Sequence, residues 1–321
     1  MDLIFTNSKK VDQGVLNTYA FDLSFGVEEN DFEMNLNARQ STLEYGAYVY
    51  IEGTEYGGIV DGMGSYTGSD TVTYKGRTWH GILNSKVIQP DAGADYFTVS
   101  GDANSILAVL IARLGLSGLF VAAESLSGVS LSNYKFPRYC KAYDGIRNML
   151  SSVGAKLKLA WKDRVVHLSA VPIVDYTASP VDGDTAVLTV ERHEHKVNHL
   201  ICLGQGELAA REVIHLYVNR FGKISDVQYY NGLDEITETY DNNGAESLDE
   251  LRSGGVERLT ELRNIDIADI SATGTDEQIY DIGDLVGATD IKSSITAAAA
   301  VSQKIVKIVN GTIIIEYKIG G

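Results

Sequence analysis

Residues 193–202 read HEHKVNHLIC, which puts three of the chain's six histidines and one of its two cysteines within ten residues, with His215 close behind. Imidazole and thiolate are donors that zinc prefers. A structural site needs about four of them, and a catalytic site about three beside an open position. His193 and His195 are two residues apart, so on a strand their side chains share a face. That suits a metal pair. His199, however, alternates with Val197 and Ile201, Cys202 belongs to the opposite face, and His215 alternates with Val213 and Tyr217. Strand periodicity therefore scatters the donors. No HExxH pattern sets two imidazoles on one helical face either. The spacing favours histidines packed or hydrogen-bonded in a β structure, and no metal is expected. A metal site on His193, His195 and His199 stays as the alternative.

Other chemistry-bearing patterns are weaker. Gly204-x-Gly206 follows a strand pattern but lacks the third glycine and the helix of a dinucleotide loop. GMGSYTG at 62–68 lacks the Lys-Ser/Thr of a phosphate loop and reads as a hairpin tip. GxSxG, the serine-hydrolase elbow, does not occur. Glu28, Glu29, Asp31 and Glu33 are read as a solvated face. DNNGAESLDE at 241–250 has its glycine too early for a calcium loop and reads as a turn feeding a helix. Trp79, in a strand context, and Trp161 are read as core or interface anchors, with glycan contact as the alternative. No catalytic residue, cofactor-binding residue or cofactor is assigned.

Those residues sit in a chain of 321, long enough for two or three domains. The formal charge is −16, which argues against binding nucleic-acid phosphates. Tyrosine (18) and glycine (32) are plentiful and proline (4) is scarce, a bias towards strands, turns and protein contacts. No apolar run approaches the ~20 residues of a membrane helix, and MDLIFTNSKK lacks the layout of a secretory signal. Two distant cysteines, Cys140 and Cys202, fit a reducing place of synthesis.

The elements that must position these residues follow from periodicity. FDLSF (21–25), FEMNLN (32–37) and AYVYIEG (47–53) alternate apolar and polar as half-buried strands do, and 71–90 is expected to give two more strands around Gly76. Asp102 caps a helix that ends at Gly115, with Ile106, Leu107, Leu110, Ile111 and Leu114 on one face. A second helix is expected over 142–153, then a hairpin turning at Lys162-Asp163. Strands resume after Asp184, and ISDVQYY (224–230) reads as one of them. Ser247 and Glu250 form a capping box for a helix over 247–264, whose Gly254-Gly255 lowers its propensity. Asn310-Gly311 predicts a closing hairpin in which Val306 and Ile308 oppose Ile315 and Ile313. The fold class expected is β-rich α+β. It has a first β-barrel at 1–97, an inserted α/β domain at 98–182, and a second barrel with the helix at 183–321.

The order of three blocks, GRTWHG (76–81), VNHLICLGQGEL (197–208) and YDIGDLVGATD (280–290), with the insert and closing hairpin around them, resembles the Gp37-like siphophage tail proteins. That family is itself similar to the baseplate hub of contractile tails. The resemblance covers nearly the whole chain, and none of its blocks is catalytic. It implies two tube-like barrels per chain and a homotrimeric ring with quasi-sixfold symmetry. Such a ring is a non-enzymatic structural hub joining a hexameric tail tube to a central spike or fibre. The partners implied are the tail tube or distal tail protein, the tape measure protein and the spike or fibre. DNA passes through the lumen without specific binding, and the chain does not insert in a membrane. The place implied is the virion tail tip or baseplate, after synthesis in the host bacterial cytoplasm. A metal-dependent cell-wall hydrolase and a carbohydrate-binding tail-tip accessory are the alternatives.

Overall fold

The computed structural model describes residues 2–39, 43–65, 67–178, 181–182, 187–190, 196–219, 223–245, 247–263, 268–271, 279–290 and 295–320. The chain forms two compact units, Met1–Val190 with Ala268–Ile319, and Glu191–Ile267 with the last two residues.

In chain order the first unit opens with β1 (Leu3–Thr6), β2 (Asp12–Leu16), β3 (Tyr19–Gly26), β4 (Asp31–Asn37), β5 (Tyr48–Tyr50), β6 (Gly57–Ser65) and β7 (Thr71–Thr78). Then come α1 (Trp79–Asn84), β8 (Val87–Ile88), β9 (Phe97–Asp102), α2 (Ala103–Arg113), β10 (Phe120–Ala122), β11 (Ser130–Phe136), β12 (Cys140–Lys141), α3 (Ala142–Ser151), β13 (Ala155–Lys162), β14 (Val165–Pro172), β15 (Val181–Asp182) and β16 (Val187–Val190). The second unit holds β17 (His199–Leu203), β18 (Val213–Val218), β19 (Ile224–Ser225), β20 (Thr237–Asp241) and α4 (Leu248–Arg263). The chain returns to the first unit with β21 (Ala268–Ser271), β22 (Leu285–Asp290), β23 (Ile295–Val309) and β24 (Thr312–Ile319).

The main sheet runs β16-β21-β24-β23-β3-β4-β7-β6-β5-β1-β2, with β22 on β23 and β15 on β22. Alternation builds its core. Phe21, Leu23 and Phe25 of β3, Phe32, Met34 and Leu36 of β4, and Val306 and Ile308 of β23 are all buried on one face, each worth about 1.5–3 kcal/mol of apolar transfer. The closing hairpin turns at Asn310-Gly311 with Val306 opposite Ile315 and Ile308 opposite Ile313. Its first strand also pairs with β3, Gln303–Val309 against Gly26–Ala20. One sheet thus draws on both the first and the last sequence segment. The β-rich α+β class holds. Neither expected barrel is seen closed, because among the described residues no ladder joins the β16 and β2 ends of the sheet.

A second core lies under α1, α2, α3, β13 and β14. Asp102 accepts from the Asn104 amide at 2.9 Å as the α2 cap. The hairpin expected to turn at Lys162-Asp163 turns one residue later: Lys162 pairs with Val165, and Asp163 and Arg164 both take positive φ, 53° and 65°, the conformation a two-residue hairpin loop demands. A larger departure is that residues after Thr78 form a helix, not a strand. Thr78 Oγ1 accepts from the Gly81 amide at 3.2 Å and donates to the Asn30 carbonyl at 3.0 Å, which caps α1. Trp79, His80, Gly81, Ile82 and Leu83 are buried in succession, so no polar face marks the helix in sequence.

In the second unit the sheet order is β19-β18-β17-β20, with β17 antiparallel to β18 and parallel to β20. The strand expected through Tyr230 stops at Ser225. Ser247 Oγ accepts from the Glu250 amide at 3.2 Å and opens α4, which covers Leu200, Cys202, Leu216 and Val218 with Leu251 and Leu259. A Cβ at Gly255 would lie 2.4 Å from Cys202 Sγ, and one at Gly254 would lie 2.7 Å from Tyr240 Oη. The glycines cost helix propensity but let the helix lie against its sheet.

Candidate functional site

His193 and His195 lie outside the described residues. His199 sits in β17, and register brings it to a residue that periodicity set apart. His199 pairs with Tyr217 and Thr237, and Ile201 pairs with His215, so the two imidazoles share the sheet face opposite α4. His199 Nδ1 donates to Glu235 Oε1 at 2.7 Å, with Thr237 Oγ1 at 3.1 Å. Its Nε2 lies 2.8 Å from His215 Nδ1. Gln228 Nε2 donates to the same Glu235 oxygen at 3.0 Å, and the Tyr217 ring stacks on His199 at 4.3 Å. His199 is 8% exposed. Cys202 points the other way, under α4, and burial pushes its thiol pKa up against a smaller opposing effect of Arg252. Among the described residues no three His, Cys, Asp or Glu side chains converge as a metal cage would require.

Among the described residues the first unit buries two lysines, each held by carboxylates. Lys304 Nζ contacts Glu55 Oε1 at 2.7 Å with its side chain 1% exposed, and it lies 5.7–5.9 Å from the ring centres of Phe25, Tyr56 and Tyr317. Burial works to lower the Lys304 pKa, but Glu55 with Tyr56 and Tyr317 outweighs it and raises the value. His80 stacks on Phe25 at 4.3 Å. Burial first, then the positive charges of Lys304 and Arg147, push its pKa down to about 3. Lys156 Nζ bridges Asp281 Oδ2 at 2.8 Å and Asp284 Oδ1 at 2.6 Å. Asp284 also accepts from the amides of Val174 and Asp281, each at 2.9 Å.

The polar face of the main sheet is charged in rows. Lys307, Asp22, Glu33 and Lys75 face one another across four strands. Arg77 clamps Asp61 through two hydrogen bonds of 2.6 and 2.8 Å. A groove of about 560 Å³ on this face sets Asp22, Glu29, Asp31, Glu33 and Asp61 against Lys75 and Arg77. Burial raises the Asp22 pKa, Lys307 opposes, and Glu33 and Glu316 add to the rise. Trp79 and Trp161 are both fully buried and stack on each other at 4.9 Å, so neither presents a ring to a glycan.

No known protein-family profile matches the chain, and no curated protein does. Solved structures do. A prophage MuSo2 43 kDa tail protein from Shewanella oneidensis aligns over 99% of this chain and 98% of its own, with a TM-score of 0.61 at 12% identity. A tail protein from Neisseria meningitidis MC58 aligns over 100% and 96%, with a TM-score of 0.57 at 14% identity. A prophage tail protein from Listeria monocytogenes EGD-e aligns over 99% and 94%, with a TM-score of 0.54 at 14% identity. The chain has the fold of phage tail proteins.

In this tail-protein fold the three sequence blocks have physical roles. GRTWHG supplies the Thr78 cap and the Gly81 that lies against Asn30, where a Cβ would come within 1.9 Å of a carbonyl oxygen. VNHLICLGQGEL is β17 and the turn after it, with Gly206 at φ +98°. YDIGDL carries the two carboxylates that hold Lys156. No described helix is long and apolar enough to cross a membrane.

Proposed function

We propose that the chain is a non-enzymatic structural hub at the tail tip or baseplate of a phage or phage-like particle. The observation that carries this reading is the end-to-end alignment with three tail proteins at TM-scores of 0.54–0.61. A homotrimer would form the ring, each chain contributing a sheet built from both its first and its last sequence segment. Such a ring adapts a sixfold tail tube above to a threefold spike or fibre below, and DNA leaves through its lumen. The tail tube or distal tail protein, the tape measure protein and the spike or fibre are the partners this places around it. Mass photometry of the purified chain should give three copies, and imaging of the particle should find the ring at the tail tip. A strictly monomeric protein that is absent from the particle would end this reading.

A further inference from the structure

The His199 arrangement carries an inference independent of the tail role. We propose that His199 and His215 form a two-imidazole chelate for a borderline divalent cation of the copper or nickel type. Three observations carry it. First, Glu235 Oε1 accepts a hydrogen bond from the Nδ1–H of His199 at 2.7 Å, which leaves a lone pair on Nε2. Metal-binding imidazoles are commonly oriented in this way, by a carboxylate on the far nitrogen. Second, that lone pair is aimed. The stacked Tyr217 ring fixes the plane of His199 and Gln228 fixes Glu235, so the donor is organised before any ion arrives. Third, Nε2 of His199 and Nδ1 of His215 meet in a hydrogen bond of 2.8 Å, with His215 exposed. A rotation of the His215 ring is therefore enough to bring both nitrogens onto one ion, and two imidazoles beside open positions suit Cu²⁺ and Ni²⁺.

The rings meet head to head, with centroids 5.1 Å apart, and share a hydrogen bond without an ion. Chelation requires His215 to change tautomer, losing the Nδ1 proton to solvent and gaining one at its own Nε2, and to swing so that both lone pairs meet at one point. His215 is exposed, so the swing displaces solvent and leaves the core packing in place, while His199 stays fixed. Only two protein donors meet, so water fills the remaining positions. The site is an open chelate, unlike a closed structural cage.

Cu²⁺ titrated into the full chain by calorimetry should bind one equivalent, and electron paramagnetic resonance should count two equatorial imidazole nitrogens. His215→Gln should weaken binding at least about 10-fold with no change in melting temperature before copper is added. Glu235→Gln should weaken it about 10- to 100-fold, the usual effect of removing a carboxylate behind a ligating imidazole. His193→Ala/His195→Ala should leave it unchanged. Equal affinity in wild type and His215→Gln, a single nitrogen in the spectrum, or loss of binding in the His193/His195 variant would each overturn the chelate.

Discussion

His80 is the residue whose burial has the clearest solution consequence. It stacks on Phe25 beside Lys304, and its pKa is pushed down to about 3, whereas an unfolded histidine titrates near 6.5. Between those values the unfolded chain binds a proton that the folded chain refuses. Stability from this group is therefore present above about pH 6.5 and is lost as pH falls towards about 3. A His80→Phe variant keeps a ring against Phe25 and removes the titration. Its melting temperature should fall less than the wild type's between pH 7 and pH 4, and parallel curves would refute the assignment. The neighbouring pair behaves differently. Glu55→Gln leaves the Lys304 ammonium buried without its carboxylate, a loss of about 3–5 kcal/mol, while Lys304→Met/Glu55→Gln should recover most of it. Urea titrations of the two variants check this. Neither arrangement is legible in sequence, because Lys304 of β23 reaches Glu55 and His80 only across the sheet, by the pairing of β23 with β3 and of β3 through β4 with β7 and β6.

At the scale of elements, legibility followed locality. The Asn310-Gly311 turn and the Asp102 cap depend on a few adjacent residues, and their register or hydrogen bonds appear as the sequence predicts, while the turn expected at Lys162-Asp163 falls one residue later. The α1 helix was hidden because successive residues are all buried and periodicity had nothing to contrast. The meeting of His199 with His215 was hidden because alternation assigns a residue to a face, while register decides which neighbour it meets. The Gly254-Gly255 pair was read correctly as a propensity cost, but its reason lies in packing. Gly255→Ala should destabilise the chain by about 1–3 kcal/mol through its contact with Cys202, although alanine is the better helix former by about 1 kcal/mol. Cys202→Ala in the same chain should relieve the clash. A double-mutant cycle measured by denaturant unfolding tests the coupling, and additive effects would place the strain elsewhere.

At the scale of the whole molecule the question is what a charge of −16 does. Surface pairs such as Glu33–Lys75, at 3.0 Å and well exposed, contribute about 0–1 kcal/mol each, so stability does not explain the excess of acid. The groove on the polar face of the main sheet holds five carboxylates and two cations, and in the proposed ring a face of this character suits a wall past which DNA must slide. Phosphate repelled by the wall has no counterions to release and so no affinity to gain. The purified assembly should therefore not retain a fluorescent DNA duplex at low or physiological salt. A Glu29→Lys/Asp31→Lys variant changes two exposed residues outside every ion pair described above. It should keep the oligomeric mass and acquire DNA binding that weakens steeply as salt rises. If the wild-type assembly retained DNA at physiological salt, the acidic-wall reading would be lost while the hub reading stood. If the variant assembled normally yet bound no DNA, this face would have to lie away from the DNA path.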